Sequence, residues 1–286
     1  MHNSPLRFTA PPRRVPLSLR VVNFFNAGAQ IGWGVFGFGM IFFWVFAGNA
    51  DFSKLTFHPD GRVFGRVTSV VDTNASENKS SIRATHYQYS VAGELYNGTS
   101  YTTGGTPAVE DEVTIEYDED NPSRSRIEGM RRSMFGPWAA IVAIFPAIGL
   151  AFLIPCTLWG RKRNRLLREG LLTTGKVIDV RPTNMTINKQ PVWEVVYEFH
   201  DRNGQRREAS ARSTDTTRLQ DEDAEPLLYD PNDPSKACVL DEAPARPKFD
   251  LNGELEGRPL AAALKLILPG IVIGAHALML WVKYGR

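Results

Sequence analysis

The chain has 286 residues, and its 33 lysines and arginines nearly balance 31 aspartates and glutamates, leaving a formal net charge of +2. A near-neutral chain gives no support for nucleic-acid binding, and two cysteines cannot build a disulfide framework. The mildly negative mean hydropathy would suit a soluble protein, but the average conceals three long apolar stretches diluted by polar sequence.

An N-terminal arm, 1–22, contains several prolines and carries Arg7, Arg13, Arg14 and Arg20. The first apolar stretch, about Phe24 to Phe46, predicts a transmembrane helix over 23–47. A cleaved signal peptide is the rival reading, with small residues at Gly48-Asn49-Ala50. The apolar run is far longer than a signal core, which favours an uncleaved anchor. Gly28, Gly32, Gly34, Gly37 and Gly39 make this helix glycine-rich. Gly28 and Gly32 lie one turn apart and expose a face for close packing, within the chain or against a second copy.

Residues 48–133 read as β structure. Val67, Val70 and Val71 follow Gly65, Ile82 to Val91 alternates around Tyr87 and Tyr89, Gly93 sits in a turn, and Val113 to Tyr117 alternates again. A second apolar stretch, Met134 to Trp159, predicts a helix over 134–159 and is followed at once by Arg161, Lys162, Arg163, Arg165 and Arg168. The region 160–250 reads as β structure once more, with Val177 to Val180, Trp193 to Phe199, and an Asp201-Arg202-Asn203-Gly204 hairpin turn. The third apolar stretch, Ala261 to Val282, predicts a helix over 260–283 and includes Lys265, Pro269 and His276. Trp44, Trp138, Trp159, Trp281 and Tyr284 stand near the ends of these stretches, where interfacial aromatics belong.

The two polar regions repeat one another. Gly65-Arg66-Val67 returns as Gly175-Lys176-Val177, Tyr87-Gln88-Tyr89 as Tyr197-Glu198-Phe199, and Tyr117-Asp118-Glu119-Asp120-Asn121-Pro122-Ser123 as Tyr229-Asp230-Pro231-Asn232-Asp233-Pro234-Ser235. Landmarks that keep register predict two copies of one small domain, of four or five short strands each. The Tyr-Asp phrase predicts a strand end and a turn, with Asp118 and Asn121 bonding forward to amides and Pro122 stopping the ladder. A calcium loop at Asp118, Glu119 and Asp120 lacks the bend glycine and the distal glutamate, and Pro231 replaces Glu119 in the second copy.

These motifs resemble the bacterial family called domain of unknown function 3592, whose members are small β domains tethered by transmembrane helices. The first copy carries the pattern at Gly65, Val67, Tyr87, Tyr89, Gly93, Tyr117, Asp118, Asn121 and Pro122; the second departs at Asp233 and at Pro226-Leu227-Leu228. The resemblance implies no catalytic residue. The expected fold is membrane α+β, with three transmembrane helices and two repeated small antiparallel β domains, each a sheet or partial barrel.

No catalytic, cofactor or metal constellation emerges. Cys156 and Cys238 lack ligand spacing, Gly104-Gly105 is a turn, and His86 and His200 sit singly beside strands. His276 stands apart, because an ionisable group within a membrane stretch is a functional candidate, although a neutral histidine bonded to a carbonyl is the plainer reading. The expectation is a bacterial inner-membrane protein acting without enzymatic chemistry, as an interaction or scaffold module. Its partners would be the bilayer and a protein, or a second copy through the Gly28/Gly32 face. A membrane-bound hydrolase and a transport role using His276 are the alternatives. The arginine clusters predict a cytoplasmic N-terminus, the first repeat outside and the second inside. Arg131, Arg132, Lys283 and Arg286 run against that pattern, and a hairpin bent at Pro146 would instead put both repeats on one side.

Overall fold

The structure is a computed structural model that describes residues 9–217, 224–243, 246–250 and 252–285. Arg7 and Arg286, counted in the charge pattern, lie outside the described residues. The chain forms two compact units, Val35–Ile148 and Met1–Gly34 with Gly149–Arg286.

Five α-helices occur among the described residues: α1 (Leu17–Phe24), α2 (Ala27–Val45), α3 (Ser53–Thr56), α4 (Ile144–Glu169) and α5 (Pro259–Tyr284). Three helical segments, Ala27–Asn49, Pro137–Glu169 and Pro259–Tyr284, are long and apolar enough to cross a membrane. The first apolar stretch is not one helix from Phe24, because the chain breaks at Phe25–Asn26. There Asn26 Oδ1 accepts from the Ala29 amide at 3.1 Å, the usual role of asparagine at a helix start. The arm also folds, since α1 buries Leu19, Val22 and Asn23 on one side. The second helix runs ten residues past Trp159, to Glu169, because arginine, lysine and leucine all favour helix. Arg165 and Glu169 pair across its last turn at 3.1 Å. Pro146 lies in the first turn of α4, and the helix continues through it and through Pro155 to Glu169, so the chain makes no hairpin at Pro146.

In the unit Val35–Ile148, five antiparallel strands form one sheet: β1 (Gly61–Glu77), β2 (Ser80–Val91), β3 (Glu94–Thr102), β4 (Glu112–Asp118) and β5 (Asn121–Ile127), in the order β3-β2-β1-β4-β5. The first strand is far from short. Its start pairs with β4, its remainder pairs with β2, and register shifts between Val67 and Ser69 and between Asp72 and Ser76 bend it. The bend curls the sheet toward a barrel. Tyr101 and Arg131 exchange backbone bonds of 2.8 and 3.0 Å, and the Ile127 amide donates to Ser100 Oγ at 2.8 Å. Tyr87, Tyr89, Ile115 and Ile127 are buried inside.

In the other unit, β6 (Leu171–Ile187), β7 (Gln190–His200), β8 (Arg206–Ser213), β9 (Glu225–Asp230) and β10 (Asp233–Val239) adopt the order β10-β9-β6-β7-β8. This is the strand order of the first sheet with each strand replaced by its counterpart. Val67 faces Tyr87 and Val177 faces Tyr197, each just before a register shift. Thr73 and Thr183 each donate at 2.7 Å to a carbonyl on the next strand, of Ile82 and Val192. Asn78-Lys79 and Asn188-Lys189 both take positive φ in two-residue hairpin turns. Tyr197, Phe199, Leu227 and Tyr229 lead the buried core. A further cluster joins Leu228 of β9 to Leu19, Val22, Leu167 and Ala262, so this small sheet gains core from α1, α4 and α5.

The Tyr-Asp phrase turns as expected, but it does not end the ladder. Asp118 Oδ1 accepts from the amides of Asp120 and Asn121, and Asp230 Oδ1 accepts from that of Asn232. Asn121 itself receives the Ser123 hydroxyl, and β5 then runs through Pro122 back along β4. Proline is tolerated there because β5 is the last strand in the order.

Gly65 and Gly175 have a packing reason. A Cβ on Gly65 would lie 2.8 Å from Gln88 O and 2.8 Å from Ile115 Cγ1; one on Gly175 would lie 2.6 Å from Leu227 Cδ2 and 3.1 Å from Tyr197 Cβ. Gly65→Ala is therefore expected to destabilise the first sheet by about 1–3 kcal/mol, read as a lower denaturation midpoint. A midpoint equal to that of the parent would show that the strands are not so close.

Before β1, Asp51 is buried and ties the start of the first sheet unit to its end. Its carboxylate accepts from the Ser53 amide at 2.7 Å and the Arg132 amide at 3.0 Å. Burial pushes its pKa up, but the hydrogen bonds from Ser53, Arg132 and Ser133 outweigh that effect and hold it below the usual carboxylate range. A depressed folded pKa means stability that is present above the unfolded value of about 3.9 and lost as pH falls through the folded one. Acid titration of stability should thus show a loss below pH ~4 that is smaller in Asp51→Asn. Equal acid loss in both proteins would remove Asp51 from this role.

Candidate functional site

The character of α4 changes at one residue. From Ile144 to Trp159 it carries no charge, and from Arg161 it carries Arg161, Lys162, Arg163, Arg165 and Arg168. Gly160 stands between the two parts, beside the end of α1. A Cβ there would lie 3.0 Å from the Phe24 Cα and 3.1 Å from the Asn23 carbonyl oxygen, so the approach needs glycine. Asn23 Nδ2 then donates to Asn164 Oδ1 at 2.8 Å.

The arm is held along the same helix by Arg13. Its amide donates to Arg168 O at 2.7 Å, and its buried guanidinium donates to Gly170 O at 2.7 Å and to Leu167 O. These carbonyls belong to the end of α4, where a cation suits the helix dipole. Burial lowers the Arg13 pKa.

Between the arm and α4 lies a groove of about 410 Å³, lined by Arg13, Arg14, Arg20, Arg161, Arg165 and Arg168, with Glu169 as its carboxylate. Arg165 is committed, to Glu169 at 3.1 Å and Asp230 at 3.4 Å. Arg14, Arg20, Arg161 and Arg168 make no ion pair among the described residues. A second hollow, of about 400 Å³, flanks the same stretch of helix and is lined by Trp159, Lys162, Arg163, Asp230, Lys236 and Cys238, among others. In both hollows cationic side chains outnumber carboxylates.

The unit Val35–Ile148 has a polar cleft of about 560 Å³ around His86, Tyr87, Thr99, Ser125 and Arg132. His86 Nδ1 lies 2.9 Å from Thr99 Oγ1, Tyr87 Oη lies 2.9 Å from Ser125 Oγ, and Arg132 Nε donates to Ser125 O at 3.3 Å. The hydroxyls and the imidazole of the cleft therefore bond to one another along its wall, and Arg132 bonds to the Ser125 carbonyl beside them. Burial raises the Tyr87 pKa and lowers that of Arg132.

The residues singled out from sequence fall in separate places. His276 is half-buried in α5, His200 ends β7, and Cys238 lies in β10 beside the second hollow. Cys156 Sγ would stand 3.0 Å from a Cβ on Gly28, and Leu153 the same distance from one on Gly32, so α4 occupies the Gly28/Gly32 face of α2. Tyr229 is buried and its hydroxyl accepts from the Arg202 amide at 2.8 Å; Tyr117 packs its ring over Gly61. Among the described residues, no three His, Cys, Asp or Glu side chains are placed to hold a metal ion. The groove escaped sequence reasoning because the arm and α4 are about 140 residues apart; the signal for it was the two arginine runs.

Residues 60–132 match the family model described as Domain of unknown function (DUF3592), which covers β1 to β5 and ends at the edge of the polar cleft. Neither the curated proteins nor the solved structures compared hold a match to the chain.

Gly160→Leu should force α1 away from α4 and open the arm to trypsin at Arg14 and Arg20, at a cost of about 1–3 kcal/mol in stability. Gly270→Leu, at a position with open space around it, should do neither. Unchanged arm cleavage in Gly160→Leu would contradict the close approach.

Proposed function

We propose that this chain is a bacterial inner-membrane protein whose two β domains descend from a duplicated unit and act without enzymatic chemistry, as an interaction or scaffold module of the cell envelope. The observation that carries the reading is the set of three helices long and apolar enough to span, alternating with two β domains. Duplication is supported by the common strand order, the matching register shifts and the matching hairpin turns. A protein partner is part of the reading. A second copy could use the Gly28/Gly32 face only by displacing Leu153 and Cys156, which favours another surface for self-association.

The topology follows from charge. Arginine runs in the arm and on the extension of α4 favour the cytoplasm, which puts the first domain outside and the second inside. Arg131 and Arg132, which oppose that pattern, are engaged within their own domain: Arg131 pairs with Glu77 at 2.5 Å, and Arg132 lies 4.7 Å over the Phe57 ring. Alkaline phosphatase fused after Asp120 should be active and after Asp230 inactive. Equal activity at both points would defeat this topology.

A further inference from the structure

We propose that the arginine groove between the N-terminal arm and the basic end of α4 binds the phosphate headgroups of anionic lipids. The proposal rests on the reading that the apolar helices cross a bilayer. In the β domains several arginines are paired: Arg62 and Arg126 with Glu116, Arg181 and Arg212 with Glu194, Arg207 with Asp201. In the groove, Arg14, Arg20, Arg161 and Arg168 are exposed and share no carboxylate among the described residues. Like charges facing one groove repel, and a bound anion relieves that repulsion.

The donors suit phosphate. Each guanidinium presents a planar fork of N–H groups that matches phosphate oxygens. Arg13 is excluded from the binding set because helix carbonyls occupy it.

Depth selects a lipid over a free anion. Trp159 is the last residue of the uncharged part of α4 and is largely exposed, as an interfacial anchor would be. With a rise of ~1.5 Å per residue, Arg161 stands ~3 Å and Arg165 ~9 Å beyond it along the helix. The headgroup layer is ~5–8 Å thick on each side of the hydrocarbon, so the near end of the groove lies in it. Basic hollows beside membrane helices at this level are headgroup sites.

The test uses the purified full-length protein in detergent, titrated with phosphatidylglycerol or phosphatidylcholine and read by native mass spectrometry. The parent should retain phosphatidylglycerol preferentially, and each of Arg20→Gln and Arg161→Gln should weaken retention about fivefold. Arg20→Lys with Arg161→Lys should keep most of it. The two arginines make no ion pairs, so the unfolding midpoint in phosphatidylcholine should not move; were it to move, Arg168→Gln, on the exposed far end, provides the same comparison. Equal retention in parent and glutamine variants would overturn the site. Displacement of the lipid by equimolar inorganic phosphate would overturn the lipid assignment. Alkaline carbonate extraction of cell membranes separately tests the bilayer reading, since release of the chain would defeat that reading whatever the groove binds.

Discussion

A helix that ends inside a protein leaves its last carbonyls in need of donors. In this chain α4 ends against the arm, and Arg13 meets that need with both its amide and its guanidinium. One residue from the N-terminal arm thereby closes a helix more than 150 positions later and fixes where β6 begins, two residues past Glu169. The charge is buried without a carboxylate, which is costly unless its donors are satisfied. Carbonyls at the negative end of a helix dipole satisfy them.

The rest of the helical packing depends on missing side chains. Gly28 and Gly32 on α2 admit Cys156 and Leu153, and Gly160 on α4 admits the backbone of Phe24. Alanine at these positions would hold the helices apart by a methyl group. Dispersion falls off steeply with separation, so the contact would weaken along the whole face. The β domains use the same device at Gly65 and Gly175, where the crowding comes from the pleat itself.

Charge is used in two ways. Within the β domains, arginines lie across strands from glutamates, and Glu116 and Glu194 each serve two of them. Most of these pairs are partly solvated, which makes them worth little individually. Along α4 and the arm, arginines outnumber the carboxylates beside them, Glu169 and Asp230, so a net positive field points outward. The first arrangement shapes a fold, and the second shapes a surface that attracts anions.

Much of the architecture was readable from the sequence by itself. Long uncharged runs mark helices because bilayer thickness and helix rise set their length, and the alternation of Tyr87 and Tyr89, or Tyr197 and Phe199, marks strands because successive side chains point to opposite faces. Both signals are local, as is the Asp118 turn. Other features depended on residues far apart in the chain. The fold of the arm and the continuation through Pro122 follow from what packs beside each segment. Pro122 in particular is allowed by its place on an edge strand, a property of sheet order that no neighbouring residue encodes. The groove is the clearest case. Two arginine runs were visible from the start, but only the Gly160 contact and the Arg13 bonds bring them to the two sides of one groove, because a charge acts through distance in space and sequence records distance along the chain.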